Sequence, residues 1–341
     1  MRLVGWRPSP VGILGALIIG VFLIWLAINF VKTPANVYDN LQIGLTNGAV
    51  YGLIAIGYSL VYGILELINF AHGDLFMLGG MMTATMVTAL SLTTGTAWFV
   101  LWPAILLCLL VAIVFCGGIN VVIERVAYRR LRTAPRLAPL ITAIGMSFVL
   151  QNVGLIWKGS RPVSVENILP GGTVFTIGGV DYTWRRLIVL LITVPVLVAL
   201  TFLVQKTRQG KAMRATAQDR DAAAMMGIDV DRTISFTFMI AGCLAGSAGL
   251  IYALYFTNVT FLTGFRVGLI AFTAAVLGGI GNLSGAVVGA LVIGLVEAFV
   301  NGLTWHSPGS SWTESVIFAI LILILVFRPE GILGERTPEG G

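Results

Sequence analysis

The chain has 341 residues, of which 57% are hydrophobic and 11% charged, and it carries a net charge of +6. With a mean hydropathy of +0.94 and less than half the roughly 25% charged residues of a soluble domain, most of it has lipid as its solvent, and no soluble catalytic domain fits in what remains. The basic residues sit beside apolar stretches rather than among aromatics in a polar domain, which reads as a topology signal and argues against nucleic acid.

A helix needs about 20 largely apolar residues to cross hydrocarbon. In chain order that length predicts helical spans over residues 11–31, 41–65, 75–92, 97–123, 137–157, 187–205 and 233–256. The uncharged stretch 267–296 is too long for one crossing, and Gly278-Gly279-Ile280-Gly281-Asn282-Leu283-Ser284-Gly285 breaks it into two spans or half-spans. The last stretch, 315–327, is short and borrows Trp312 and Thr313 as an interfacial start. The expected fold is an all-α polytopic membrane protein of about ten transmembrane helices with Gly-interrupted segments, nine crossings being the alternative. With the N-terminus inside, the inner segments hold fifteen of the 21 Lys and Arg, and Lys32, Lys158, Arg161, Arg185, Arg186 and Arg266 fall outside. With ten crossings that bias places both termini in the cytoplasm, and nine crossings would put one terminus outside.

Arg2 and Arg7 ahead of the first apolar run imitate a secretory signal, but the run exceeds the usual length of about 7–15 residues and no small-residue cleavage site follows. Residues 1–36 are read as an extension with a retained first helix, 37–334 as one membrane domain and 335–341 as a polar tail. The stretch from Glu66 to Asp74 offers two readings. Asn69, His72, Gly73 and Asp74 make either a cytoplasmic turn with Asp74 capping the third span or a broken helix whose peptide groups contact cargo. In the extracytoplasmic loop 158–186, residues 174–177 and 180–183 flank Gly178-Gly179 and predict a β-hairpin, either a plain lid or a contact for a delivery protein. Gln151 and Asn152 read as glue between helices. Glu297 lies well inside its span and binds either an ammonium group or a neighbouring helix. The run Gly278, Gly279, Gly281 and Asn282 offers close packing or an unwound segment with free peptide groups.

The loop 205–232 stands out among these apolar stretches. Helix formers over residues 211–226 predict one short helix, Gly227 ends it in the left-handed conformation, and Asp229 or Asp231 caps the next. Ala222, Ala223 and Ala224 permit close approach, Met225 and Met226 offer adaptable apolar contact, and Arg214, Arg220 and Asp221 supply charge for a partner surface. The plain alternative is an Ala-rich connector.

Enzymatic chemistry finds no support. Gly210-Lys211 lacks the remainder of a phosphate loop, the two histidines make no H-E-x-x-H site, and no G-x-S-x-G elbow occurs. The cysteines, Cys108, Cys116 and Cys243, all lie in apolar segments and read as packing residues.

Several stretches carry a resemblance: Tyr51-Gly-Leu-Ile-Ala-Ile-Gly-Tyr58, Ile68-Asn-Phe-Ala-His-Gly-Asp74, Ile123-Glu-Arg-Val-Ala-Tyr128, Ile144-Gly-Met-Ser147, Ala271-Phe-Thr-Ala-Ala-Val-Leu-Gly-Gly-Ile-Gly281 and Gly331-Ile-Leu-Gly334. From about residue 41 to 334 the chain resembles the permease subunit of bacterial ABC importers for branched-chain amino acids, and it looks like the first of two such permeases. The resemblance implies a second related permease subunit, two cytoplasmic ATPase subunits that hold ATP and Mg, a periplasmic substrate-binding protein and a place in the bacterial inner membrane. Within this chain it implies no cofactor and no metal, and it makes Asp221-Ala-Ala-x-x-x-Gly227 similar to the coupling motif of ABC permeases. Asp replaces the usual Glu there, and the more distal apolar-Pro end is missing. Sister permeases carry urea, short amides and other amino acids; an ion-coupled secondary transporter is the alternative from another class.

Overall fold

A computed structural model describes residues 10–334 apart from positions 133, 136, 178 and 329. Arg2, Arg7, Arg136, Arg336, Gly178 and the tail 335–341 lie outside the described residues. The helices in chain order are α1 (Pro10–Lys32), α2 (Pro34–Leu65), α3 (Ala71–Ala89), α4 (Trp98–Ile123), α5 (Leu137–Lys158), α6 (Trp184–Lys206), α7 (Arg208–Gln218), α8 (Arg220–Met225), α9 (Val230–Phe256), α10 (Thr263–Gly278), α11 (Leu283–Gly302) and α12 (Thr313–Phe327). Among the described residues seven stretches are long and apolar enough to cross a membrane: α2, α4 with its extension, α5, α6, α9, α11 and Ser310–Phe327. The protein is an all-α polytopic membrane protein, as its composition requires.

Lipid tails are as apolar as leucine, so helices in a bilayer are held by close packing, and small residues permit it. α2 is the central rod: 89% of its most apolar stretch is buried, against 11% for the peripheral Ser310–Phe327. Its Gly44 and Gly48 lie against α11, where a Cβ at Gly44 would sit 2.7 Å from the Leu295 Cα and one at Gly294 would sit 2.6 Å from the Gly48 Cα. On α9, Gly242 and Gly246 meet Cys116 and Ala112 of α4, while Gly249 meets Phe76, Gly79 and Gly80 of α3. The cysteines pack as expected and are free thiols; the Cys116 Sγ donates to the Leu75 carbonyl at 3.3 Å.

The loop between α5 and α6 forms the expected hairpin, β2 (Thr173–Ile177) against β3 (Val180–Thr183). A second pairing was not foreseen: β1 (Val163–Ser164) joins β4 (Asn258–Val259), which ties this loop to the end of α9. The loop is also fixed to α2 through Arg186, which donates to Asp39 at 2.8 Å and to Gln42 at 2.7 Å.

Three expected boundaries are corrected. The third span begins at Ala71 rather than residue 75, because Asp74 is accommodated inside the protein instead of marking its surface. The fourth does not stop at residue 123; it continues through a π-helical turn, Glu124–Tyr128, and a 3-10 turn, Arg129–Leu131. The helix expected over 211–226 is two helices, α7 and α8, broken at Asp219.

Candidate functional site

α7 and α8 project from the end of the bundle where α2, α4, α6 and α12 finish and α9 begins. Thr207 starts the first turn, its hydroxyl accepting from the Gly210 N–H at 3.1 Å. Asp219 is extended, with φ −155° and ψ 113°, and accepts from the N–H groups of Asp221 and Ala222 at 2.9 Å each. An N-cap carboxylate satisfies two otherwise unpaired donors and favours the positive end of the helix. Gly227 closes α8 at φ +82°, and the Asp229 carboxylate accepts from the Arg232 N–H at 3.0 Å to start α9. Replacing Asp219 by Ala is expected to cost about 1 kcal/mol locally, measurable as faster amide exchange at Asp221 and Ala222.

α8 divides the residues expected to face a partner. Met225 and Met226 are 82% and 83% exposed, Asp221 and Ala224 are exposed, Ala222 is half-buried and Ala223 is buried. Arg214 and Arg220, expected to meet a partner's acidic groups, each spend one donor on a carbonyl of this chain. Arg214 donates to the Val204 carbonyl in α6, and Arg220 donates to the Ile64 carbonyl of α2 at 3.0 Å. The last carbonyls of a helix lack partners within it and carry its partial negative charge, so a guanidinium there is favoured twice. The arginines brace the projecting pair against the ends of two spans.

A second brace was not read from the sequence. Glu124 is fully buried in the π-helical turn, accepts from the Ser235 hydroxyl at 2.6 Å and pairs with Arg132. Arg132 and Arg129 both pair with Asp231, which joins the end of α4 to the start of α9. A carboxylate directly after a 26-residue apolar helix was the available signal; of its partners Arg132 is 8 residues away and Ser235 is 111 residues away in the chain.

Above these braces α2 carries two polar stations. At the lower one Glu66 ends α2 with φ +56°, and five residues later the chain turns inward to begin α3. Asn69, His72 and Asp74 are all buried. The Tyr128 hydroxyl donates to the Asn69 Oδ1 at 2.7 Å, and Asp74 accepts from Ser147 at 2.5 Å and from Gln151 at 3.5 Å. Asp74 therefore binds α5 and does not cap the third span, whose N-cap position is Phe70 without a side-chain bond. His72 packs on Gly57 and edge-on to Tyr58, with ring centroids 4.9 Å apart. A Cβ at Gly73 would sit 2.8 Å from the Gly268 Cα, and one at Gly264 would sit 2.7 Å from the Asp74 Cα. The N-terminal turns of α3 and α10 thus meet inside the bundle. Gln151 is glue as expected; Asn152 is not, being exposed and bonded to the Phe148 carbonyl of its own helix.

The upper station is Glu297 of α11, which accepts from the Tyr51 hydroxyl at 2.7 Å and from the Asn47 amide at 3.2 Å. Tyr51 and Tyr58 are seven residues apart on α2, about 10 Å at 1.5 Å per residue. Gly278, Gly279, Gly281 and Asn282 belong to neither station. They form the turn between α10 and α11, about 20 Å along α10 from Gly264. Gly331-Ile-Leu-Gly334 closes this turn: Ile332 and Leu333 N–H groups donate to the Leu277 and Gly278 carbonyls at 2.8 and 2.9 Å, and Asn282 donates to the Leu333 carbonyl at 2.8 Å. Those residues cap the end of α10.

No cluster of His, Cys, Asp and Glu able to hold a metal occurs among the described residues. A helical bundle around one buried rod, with polar stations along it and a braced helix pair projecting from one end, has the build of a transporter's membrane subunit. Residues 40–326 match the family described as the permease component of branched-chain amino acid transport systems, and the chain belongs to that family. It is 39% identical over 300 residues to the high-affinity branched-chain amino acid transport system permease protein BraD of Pseudomonas aeruginosa, covering 87% of this chain and 95% of that one. Against the LivH protein of Escherichia coli K12, of the same description, identity is 38% over 306 residues with the same coverage. A probable LivH of Methanocaldococcus jannaschii is 24% identical over 306 residues, covering 88% and 90%. No solved structure matches the chain.

Proposed function

We propose that this protein is a permease subunit of an ATP-driven, binding-protein-dependent importer of branched-chain amino acids, and that α7 and α8 receive the movement of a cytoplasmic ATPase. The observation that carries the coupling role is the combination of two almost fully exposed methionines on α8 with an arginine that fastens the same helix to the central α2. ATP and Mg belong to two ATPase subunits, a second related permease completes the path, and a periplasmic protein delivers cargo to the end that carries the 158–186 loop. The family relatives named for branched-chain amino acid transport support the cargo class.

In this reading α1, α3 and α10 also cross the bacterial inner membrane, giving ten crossings. The end of the bundle rich in Arg and Lys, with α7 and α8, faces the cytoplasm together with both termini. Residues 37–334 form the permease domain, and α1 is an addition held to it by the Trp25 indole N–H, which donates to the Trp305 carbonyl at 3.0 Å. The stations around Asn69, His72, Gly73 and Asp74 and around Glu297 line or gate the path, and the turn Gly278, Gly279, Gly281 and Asn282 closes its inner end.

Reconstitution of the chain with its ATPase, paired permease and binding protein is expected to give leucine uptake that requires ATP. Leucine uptake by this chain alone down an ion gradient would replace the proposal with a secondary transporter. Uptake of urea or short amides in place of leucine would keep the machine and change the cargo.

A further inference from the structure

A cavity of about 270 Å³ opens between the end of α2, the extension of α4 and α7. Its wall combines three chemistries. Leu67 and Leu131 supply aliphatic surface, Glu66 supplies a carboxylate, and Arg132 and Arg220 supply guanidinium groups. Arg132 is already neutralised by Glu124 and Asp231, whereas neither Glu66 nor Arg220 makes an ion pair among the described residues. The balance left at the wall is one positive and one negative group beside apolar surface.

A ligand carboxylate complements the Arg220 guanidinium, a ligand ammonium complements Glu66, and an aliphatic side chain complements the leucines.

We propose that this cavity, at the end of the bundle carrying α7 and α8, binds a small zwitterion with an aliphatic side chain. The ligand class is that of the cargo in the proposed function, on which the inference rests, and the site lies where that cargo would be released. A bound ligand bridges α2, α4 and α7, three pieces that must shift relative to one another if movement enters through α7 and α8.

The complete transporter in lipid nanodiscs, without its binding protein, is titrated with L-leucine while amide exchange is followed. Saturable protection is expected in α7 and at residues 129–132, with a midpoint weakened about tenfold by Glu66→Gln. Glu66 is exposed and makes no ion pair among the described residues, so the variant is expected to keep its fold. An unchanged midpoint, or no protection in a transporter that takes up leucine normally, overturns the inference. Glu66-dependent protection in a transporter that takes up no leucine supports the cavity and removes the proposed function.

Discussion

Replacing Met225 and Met226 together by Glu is expected to abolish ATP-driven uptake while leaving the permease folded. Both side chains project from α8 at more than four-fifths exposure, so their loss removes no internal packing, and surface changes of this kind alter stability by within about 0.5 kcal/mol. At a docking surface the same change puts two carboxylates where flexible apolar contact was made. The few hot-spot contacts of an interface are each worth about 2 kcal/mol or more, and every 1.4 kcal/mol is about tenfold in affinity. The ATPase is expected to be lost from the purified complex and uptake to fall at least about 100-fold, with the permease's melting temperature unchanged. Ala223 is unsuitable for this test, because it points into the protein and a large residue there would disturb α8 itself.

Gly249→Leu is expected to have the opposite profile, destroying the permease before function can be measured. A Cβ at that position would lie 2.6 Å from the Gly80 N and 2.8 Å from the Gly79 carbonyl carbon, both backbone atoms of α3 that no rotamer change can move. Overpacking costs about 1–3 kcal/mol where neighbours can adjust; here α3 and α9 must separate. Folded protein recovered from membranes is expected to drop more than about tenfold. Gly118→Leu is the control, since nothing lies within 4 Å of a Cβ there, and wild-type yield is expected. Equal yields for the two variants would mean that the α3–α9 contact does not hold the bundle together.

The long apolar spans were legible because the cost of exposing peptide groups to lipid makes an uninterrupted apolar helix the simplest solution. Local rules also found Gly227 and Asp229, whose roles depend on backbone conformation and a hydrogen bond within a few residues. They missed Asp219, which sits in a run of good helix formers and resembles one more polar surface residue, although an Asp three residues before an Ala run is an N-cap signal. Asp74 misled for another reason. A charged residue between two apolar runs suggests a surface, yet Ser147 and Gln151, more than 70 residues further on, make its burial tolerable. Arg220 is similar: its partner is a main-chain carbonyl 156 residues away, and no side-chain pattern announces it. Tertiary pairing decides such sites, and a single chain read locally does not contain it.

In the proposed mechanism movement enters through α8 and reaches α2 through the Arg220 guanidinium. Its most direct test is the number of leucine molecules imported per ATP hydrolysed by the reconstituted transporter carrying Arg220→Met. The ATPase is expected to remain bound and hydrolysis to continue near the wild-type rate, with import per ATP reduced about tenfold or more and partly restored by Arg220→Lys. Import per ATP equal to wild type in the Met variant would contradict it.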